Sequence, residues 1–296
     1  IIELQLKNGT GTSGVLQQIS DMVGVNKHGG GIYKSASCVI PINDIRGIEA
    51  MGYSKGEKII RCKLACLYRL IDLYGWAHGS STLITARLNQ DDEQFLVNPH
   101  GILFHEMTAS GLIKVDMQGS IIEQGTTNFS VNVAAFSLHA AVHSARPDIK
   151  CIIHLQSPSV VAISAMKQGL LPLSQESVVI GEVSTHAYFG GLLDLADKDR
   201  LARNLGPNNK VLLLSNQGAL CCGETIEEAF FKARNTILAS ESQLKLLPIG
   251  IDNLVLLNDD ARKRIYDVAH KAPESTRGPD QPSEGKVERK WRVGGV

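Results

Sequence analysis

A chain of 296 residues has room for one large folded domain or two small ones, and its 43% hydrophobic content is that of a globular protein. The 30 basic residues cancel the 30 acidic ones, which removes any whole-chain electrostatic case for nucleic acid or an anionic membrane surface. No apolar run of about 18 residues and no charged-then-apolar leader occurs, so a membrane-spanning or visibly secreted chain is not expected. Opening on Ile1 rather than methionine, the chain reads as a piece of a longer one. The cysteines at 38, 62, 66, 151, 221 and 222 form no C-x-x-C pair and sit mostly in apolar surroundings. Reduced, buried thiols in a cytoplasmic protein are the expectation.

In chain order, residues 1–51 read as an N-terminal arm with a short helical stripe (Val15, Ile19, Met22, Val23) and the interruption HGGGIYKS. From Glu57 to Tyr74, the apolar positions Ile60, Leu64, Leu67, Ile71 and Tyr74 predict a helix, ended by Gly75. Two strands follow, around 83–88 and 94–97, joined by NQDDE, and then a hairpin within 112–122. Asn128 is predicted to cap a helix running to Ala145, with Phe129, Val133, Phe136 and Ala140 on its apolar face, and Pro147 forbids its continuation.

The run CIIHL (151–155) reads as a buried strand, with Ser157 and Pro158 as cap and first residue of the next helix. A further strand is expected at 178–183, a polar helix at 194–205, and a hairpin of 211–214 with 219–222 about Asn216-Gln217-Gly218. Thr225 and Glu228 form a capping box for the last long helix, and beyond Asn258 the signals fade. From Ala272 onward, prolines and charges predict a disordered tail. These elements predict an α/β protein in which a mixed, largely antiparallel sheet is flanked by helices, with the folded domain at 52–258 and 259–296 largely disordered.

Motifs for chemistry are few. His139 and His143 have the i, i+4 spacing of a metal pair, but HAAVH lacks the glutamate of the H-E-x-x-H pattern, and a polar helix face is the plainer reading. His186 is expected on a solvated loop, and His100 and His105 flank a turn without an assignable partner. Neither a nucleophile elbow, a P-loop nor a dinucleotide fingerprint is present. His154 and Gln156 should project the same way at a strand end; two imidazoles there would make half a zinc site, but the second residue is an amide.

Longer segments carry a resemblance. GEKIIRCKLACLYRLIDLYGW (56–76), FLVNPHGILFHEMTAS (95–110), VDMQGSIIEQGTTN (115–128), ARPDIKCIIHLQSP (145–158), AISAMKQGLLPLS (162–174) and NLGPNNKVLLLSNQGALCCGETIEEAFF (204–231) resemble the adducin head. That head belongs to the class II aldolase/adducin superfamily. SCVIPINDIRG (37–47) is similar to the segment preceding such a head, and KWRVGGV to the start of the neck that follows it. The resemblance implies a three-layer α/β/α class II aldolase-like domain.

It also implies where chemistry has been lost. Aldolases of the superfamily hold zinc with an H-x-H pair and a histidine in a later N-H-G turn; the matching positions here are His154, Gln156 and Gln217. The acid/base glutamate falls at Ala135, the two phosphate-binding hydroxyl residues before it at Val133 and Ala134, and the asparagine of the first substrate loop at Thr82. An amide oxygen replaces imidazole poorly at zinc, and alanine has no proton to transfer.

The implied protein is therefore not an enzyme and carries no cofactor or metal. It is a cytoplasmic component of the actin–spectrin membrane skeleton, at the inner face of the plasma membrane, self-associating with identical or related subunits into dimers or tetramers. Spectrin and F-actin are implied partners that need the neck and lysine-rich tail absent from these residues. Two alternatives stand beside it. One is a metal-dependent aldolase or epimerase acting on a sugar phosphate, with His139, His143 or His186 rebuilding a site around His154. The other is a catalytically dead sensor of a small ligand.

Overall fold

Strand alternation decides how the layers form, and the strand CIIHL shows it. In a computed structural model describing residues 40–46, 52–77, 82–89, 93–188 and 190–271, this strand lies inside an eight-stranded sheet. Cys151, Ile153 and Leu155 join one hydrophobic cluster, while Ile152 joins the cluster on the opposite face. The predicted stripe at 15–23, the HGGG segment and the tail from 272 lie outside the described residues.

Helix α1 (Lys55–Leu73) starts at Ser54, whose hydroxyl accepts from Glu57 N. Then come β1 (Ile84–Asn89), β2 (Gln94–Val97), β3 (Ile113–Val115), β4 (Ile121–Glu123), α2 (Val133–Ala145), β5 (Cys151–Leu155), α3 (Pro158–Ser164) and α4 (Gln175–Val179). The remainder is β6 (Val183–His186), α5 (Leu195–Leu205), β7 (Val211–Leu214), β8 (Gly218–Gly223), α6 (Ile226–Leu246) and α7 (Asp259–His270). Sheet order is β4-β3-β2-β1-β5-β8-β7-β6, with β6–β7 parallel and the other pairs antiparallel. Apolar side chains of α1, α3 and α6 (Val160 and Ile163 from α3) cover one face, and those of α2 and α5 cover the other. This is the expected three-layer α/β/α arrangement around a mixed, largely antiparallel sheet.

Several boundaries differ from expectation, each for a local reason. Helix α2 begins at Val133, capped by Asn132, rather than at Asn128. The carbonyls of Thr127 and Phe129 accept from the Gln124 side chain, and that of Ser130 from His100 N, so they are spent before a helix can use them. Phe129, expected on the apolar face, is exposed. The stretch predicted as a strand at 178–183 ends a short helix instead, with Ser177 Oγ accepting from Ser174 N and donating to Ser174 O at its start and Gly181 (φ +87°) as its stop. A short apolar run does not distinguish strand from buried helix.

Within the compact unit that begins at Ile42, Ile42 O accepts from Ala109 N and the Asp44 carboxylate accepts from Ser110 N, which draws the end of the expected arm into the domain. At the other end, the first part of the stretch expected to be largely disordered is helix α7. Asn258 caps it, accepting from Ala261 N, and Asp259 and Asp260 occupy its first turn. Among the described residues no helix is long and apolar enough to cross a membrane.

Candidate functional site

The end of β5 meets the β7–β8 turn, and glycine makes the contact possible. Gly218 has φ +91°, and a Cβ there would fall inside the van der Waals radius of the Leu155 carbonyl oxygen. Ser164 on α3 clamps the turn, its carbonyl accepting from Asn216 N (3.3 Å) and its hydroxyl from Gly218 N (3.1 Å). Ser215 N donates to His186 O at 2.9 Å. Gly218→Ala is expected to cost about 2 kcal/mol through the left-handed backbone alone. Urea unfolding checks this; an unchanged midpoint would remove the turn from the site's support.

This contact brings together two of the three positions matched to zinc ligands. His154 Nε2 lies 3.1 Å from the main-chain oxygen of Gln217. A carbonyl only accepts, so Nε2 carries the proton and the ring donates. Burial pushes the His154 pKa down to about 4, against the Gln217 carbonyl bond, which favours the charged ring. Gln156 follows the strand, half-buried, just ahead of the cap residue Ser157. Thr82 is buried two residues before β1, and the next residue, Leu83, accepts from His154 N at 3.2 Å.

Helix α2 closes the other side. Val133, Ala134 and Ala135 form its first turn, with Val133 exposed and the two alanines half-buried. One turn further on, the His139 ring centroid is 6.4 Å from that of His154. Sequence reading placed His139 and His143 on a polar helix face or a metal pair, but both are fully buried. They share Thr85 Oγ1, at 3.0 Å from His139 Nδ1 and 2.9 Å from His143 Nε2.

His143 Nδ1 donates to Ile149 O, so its Nε2 accepts from the Thr85 hydroxyl, and Thr85 in turn accepts from His139 Nδ1. His139 Nε2 is left without a partner. Burial holds His139 far below the usual histidine range, reinforced by His154 and His143, and takes His143 to about 3. His186, expected on a solvated loop, is a buried residue of β6 whose Nδ1 accepts from Asn204 Nδ2 at 2.9 Å.

Zinc does not fit this residue set. Among the described residues no three His, Cys, Asp or Glu side chains converge on a metal-sized site. The His154 nitrogen facing Gln217 is a protonated donor, positions 156 and 217 are amides, and position 135 has no carboxylate. The described cysteines, 62, 66, 151, 221 and 222, are free thiols, and burial pushes Cys221 up to about 12. Cys38 lies outside the described residues.

Sequence reading missed a second polar centre. Arg61, set off the apolar face of α1 in the sequence, is fully buried and binds Glu57, Glu123 and the Leu112 carbonyl. Its spacing to Leu64, Ala65 and Tyr68, at i+3, i+4 and i+7, was a legible signal of that burial.

Fold and sequence together define a class II aldolase-type α/β domain. The chain belongs to the class II aldolase and adducin N-terminal domain family, whose model matches residues 62–244. It is 58% identical over 275 residues to the Drosophila melanogaster protein hu-li tai shao, covering 93% of this chain and 24% of that protein. It is 42% identical over 308 residues to alpha-adducin of Rattus norvegicus, covering 99% of this chain and 41% of that one. The chain thus spans less than half the length of these relatives. Among solved structures, an aldolase II superfamily protein from Pseudomonas syringae superposes with a TM-score of 0.72 at 35% identity. That match covers 79% of this chain and 91% of the bacterial one.

Proposed function

We propose that this chain is the non-catalytic, self-associating head of a membrane-skeleton protein of the adducin type. The observation that carries the reading is the donor set at the matched zinc positions: a lone histidine at 154, amides at 156 and 217, and among the described residues no three His, Cys, Asp or Glu side chains that converge on a metal. The alanine at 135 adds to it, since aldol chemistry needs a group there that moves a proton. Thr82, Val133, Ala134, Ala135, His154, Gln156 and Gln217 are, in this reading, the degenerate remains of a lyase site. The similarity to adducins supports assembly with identical or related subunits. Recruitment of spectrin and F-actin at the cytoplasmic face of the plasma membrane belongs to the longer protein, acting through neck and tail.

Three measurements test this. Metal analysis of the purified chain should find no stoichiometric zinc, and retro-aldol assays on sugar phosphates should stay at background. Bound zinc that a chelator removes together with activity would restore the enzyme. Sedimentation equilibrium at micromolar concentration should show dimers or larger species. A strictly monomeric chain defeats the self-association.

A further inference from the structure

Helix α1 is apolar on two opposite faces. Its inner face carries Leu64, Leu67, Tyr68 and Ile71, all buried in the main core. A second stripe, Ile59, Cys62, Cys66, Leu70 and Leu73, recurs at i, i+3, i+7, i+11 and i+14 on the outer side. Ile59 is 48% and Leu73 79% exposed, while Cys62, Cys66 and Leu70 are half-buried, Leu70 leaning partly on the core. A helix at the surface of a domain ordinarily turns a polar face to water, and an apolar one marks a surface that something else covers. The stripe also spans two heptads, the spacing of a seam between two packed helices.

The charges beside the stripe identify the cover. Lys55 and Lys58 occupy the start of α1, where the helix dipole disfavours cations, and neither enters an ion pair among the described residues. Glu57, the acid of that turn, is engaged instead by Arg61 and Lys114. Asp72 stands in the last turn, where the dipole disfavours anions and no basic residue is present. Its ion-pair partner among the described residues is the exposed His105, at 3.5 Å. The helix thus exposes unfavourable charge at both ends. Set antiparallel beside an identical helix, Lys58 meets the second copy's Asp72 at each end of the seam, and the two dipoles oppose.

We infer that α1 forms a two-fold interface with α1 of a second copy, the outer stripe of each helix packed on the other. Ile59 lies against the second copy's Leu73, and Cys66 falls at the centre against its own counterpart. Such a contact is self-complementary and closes as a dimer. The inference rests on the self-association proposed above and names the surface through which it occurs.

The test uses the whole chain with Cys38→Ser and Cys62→Ser, which leaves Cys66 as the one thiol not fully buried. A short bismaleimide should then join two chains through Cys66. Sedimentation equilibrium of the unsubstituted chain reads the dissociation constant. Leu73→Lys, at a position largely exposed in the single chain, should weaken association about tenfold or more by setting a cation beside the lysines of the second copy. Lys58→Glu and Asp72→Lys should each weaken it about fivefold, and the two combined should restore it, which a local disturbance of α1 would not do. Lys198→Glu, on α5, should change nothing. A chain that is monomeric before any substitution overturns the self-association and this interface together. An oligomer that gives no cross-link through Cys66, or that is indifferent to Leu73→Lys and to the charge exchange, keeps the self-association and overturns the interface.

Discussion

Replacing Arg61 with methionine is expected to lower the stability of this domain by about 3–5 kcal/mol, the usual cost of removing one partner from a buried ion pair. The Arg61 side chain is wholly inaccessible. Its Nε donates to Glu57 Oε1 at 2.8 Å, one terminal nitrogen to Leu112 O at 2.8 Å, and the other to Glu123 Oε1 at 2.9 Å. Its guanidinium also lies 4.3 Å from the centre of the Tyr53 ring. Methionine fills much of the volume but leaves Glu57 and Glu123 to Lys114, which reaches them at 3.1 and 3.0 Å, and orphans the carbonyl. Arg61→Lys should lose less, keeping the charge without the planar fork. Urea unfolding reads both; a loss under about 1 kcal/mol would reduce the cluster to the standing of exposed pairs.

Acid should destabilise the domain through its buried imidazoles. An unfolded histidine takes up its proton near pH 6.5, whereas burial delays His154 to about 4 and His143 to about 3. Between those values the unfolded chain binds more protons, so stability is full above pH 6.5 and falls as the pH drops. The slope reaches about 1.4 kcal/mol per pH unit for each imidazole, which for His154 alone sums to roughly 3 kcal/mol by pH 4. Unfolding midpoints at pH 7.0 and 4.5 measure it. His154→Gln should start less stable at pH 7.0 yet show a shallower slope, because carboxylate contributions are common to both proteins. Parallel slopes would mean that His154 is already solvated in the native state.

The sheet and its two helical layers were legible because periodicity reports burial. Strands at 94–97, 151–155 and 211–214 stand where alternation or apolar runs placed them. The long-range partners of buried polar groups were not legible. Arg61 meets Leu112 and Glu123, and His143 meets Thr85, across half the domain, and no local pattern encodes such a meeting. The proximity of positions 154 and 217 came from resemblance, and the geometry places them in contact. What the sequence could not supply was the direction of that contact: the imidazole donates to the turn's main chain. Helix α7 was missed although Ala261, Ile265 and Ala269 recur every four residues among its charges, and Asn258 and the two aspartates after it are an ordinary start signal.

The position of β5 also governs how the chain reaches this structure. Its two sheet neighbours, β1 and β8, lie roughly 70 residues before and after it, whereas β1–β2, β3–β4 and β7–β8 are joined by short turns. The hairpins can zip early, but the strand bearing His154 must wait for two long loops to close, which sets folding toward the slow end of the range for single domains. Until it inserts, the inner borders of both half-sheets present unpaired main chain and bare aliphatic side chains. A nascent chain crowded among its own copies is most prone to clump during that interval, and folding assistants would serve it best there.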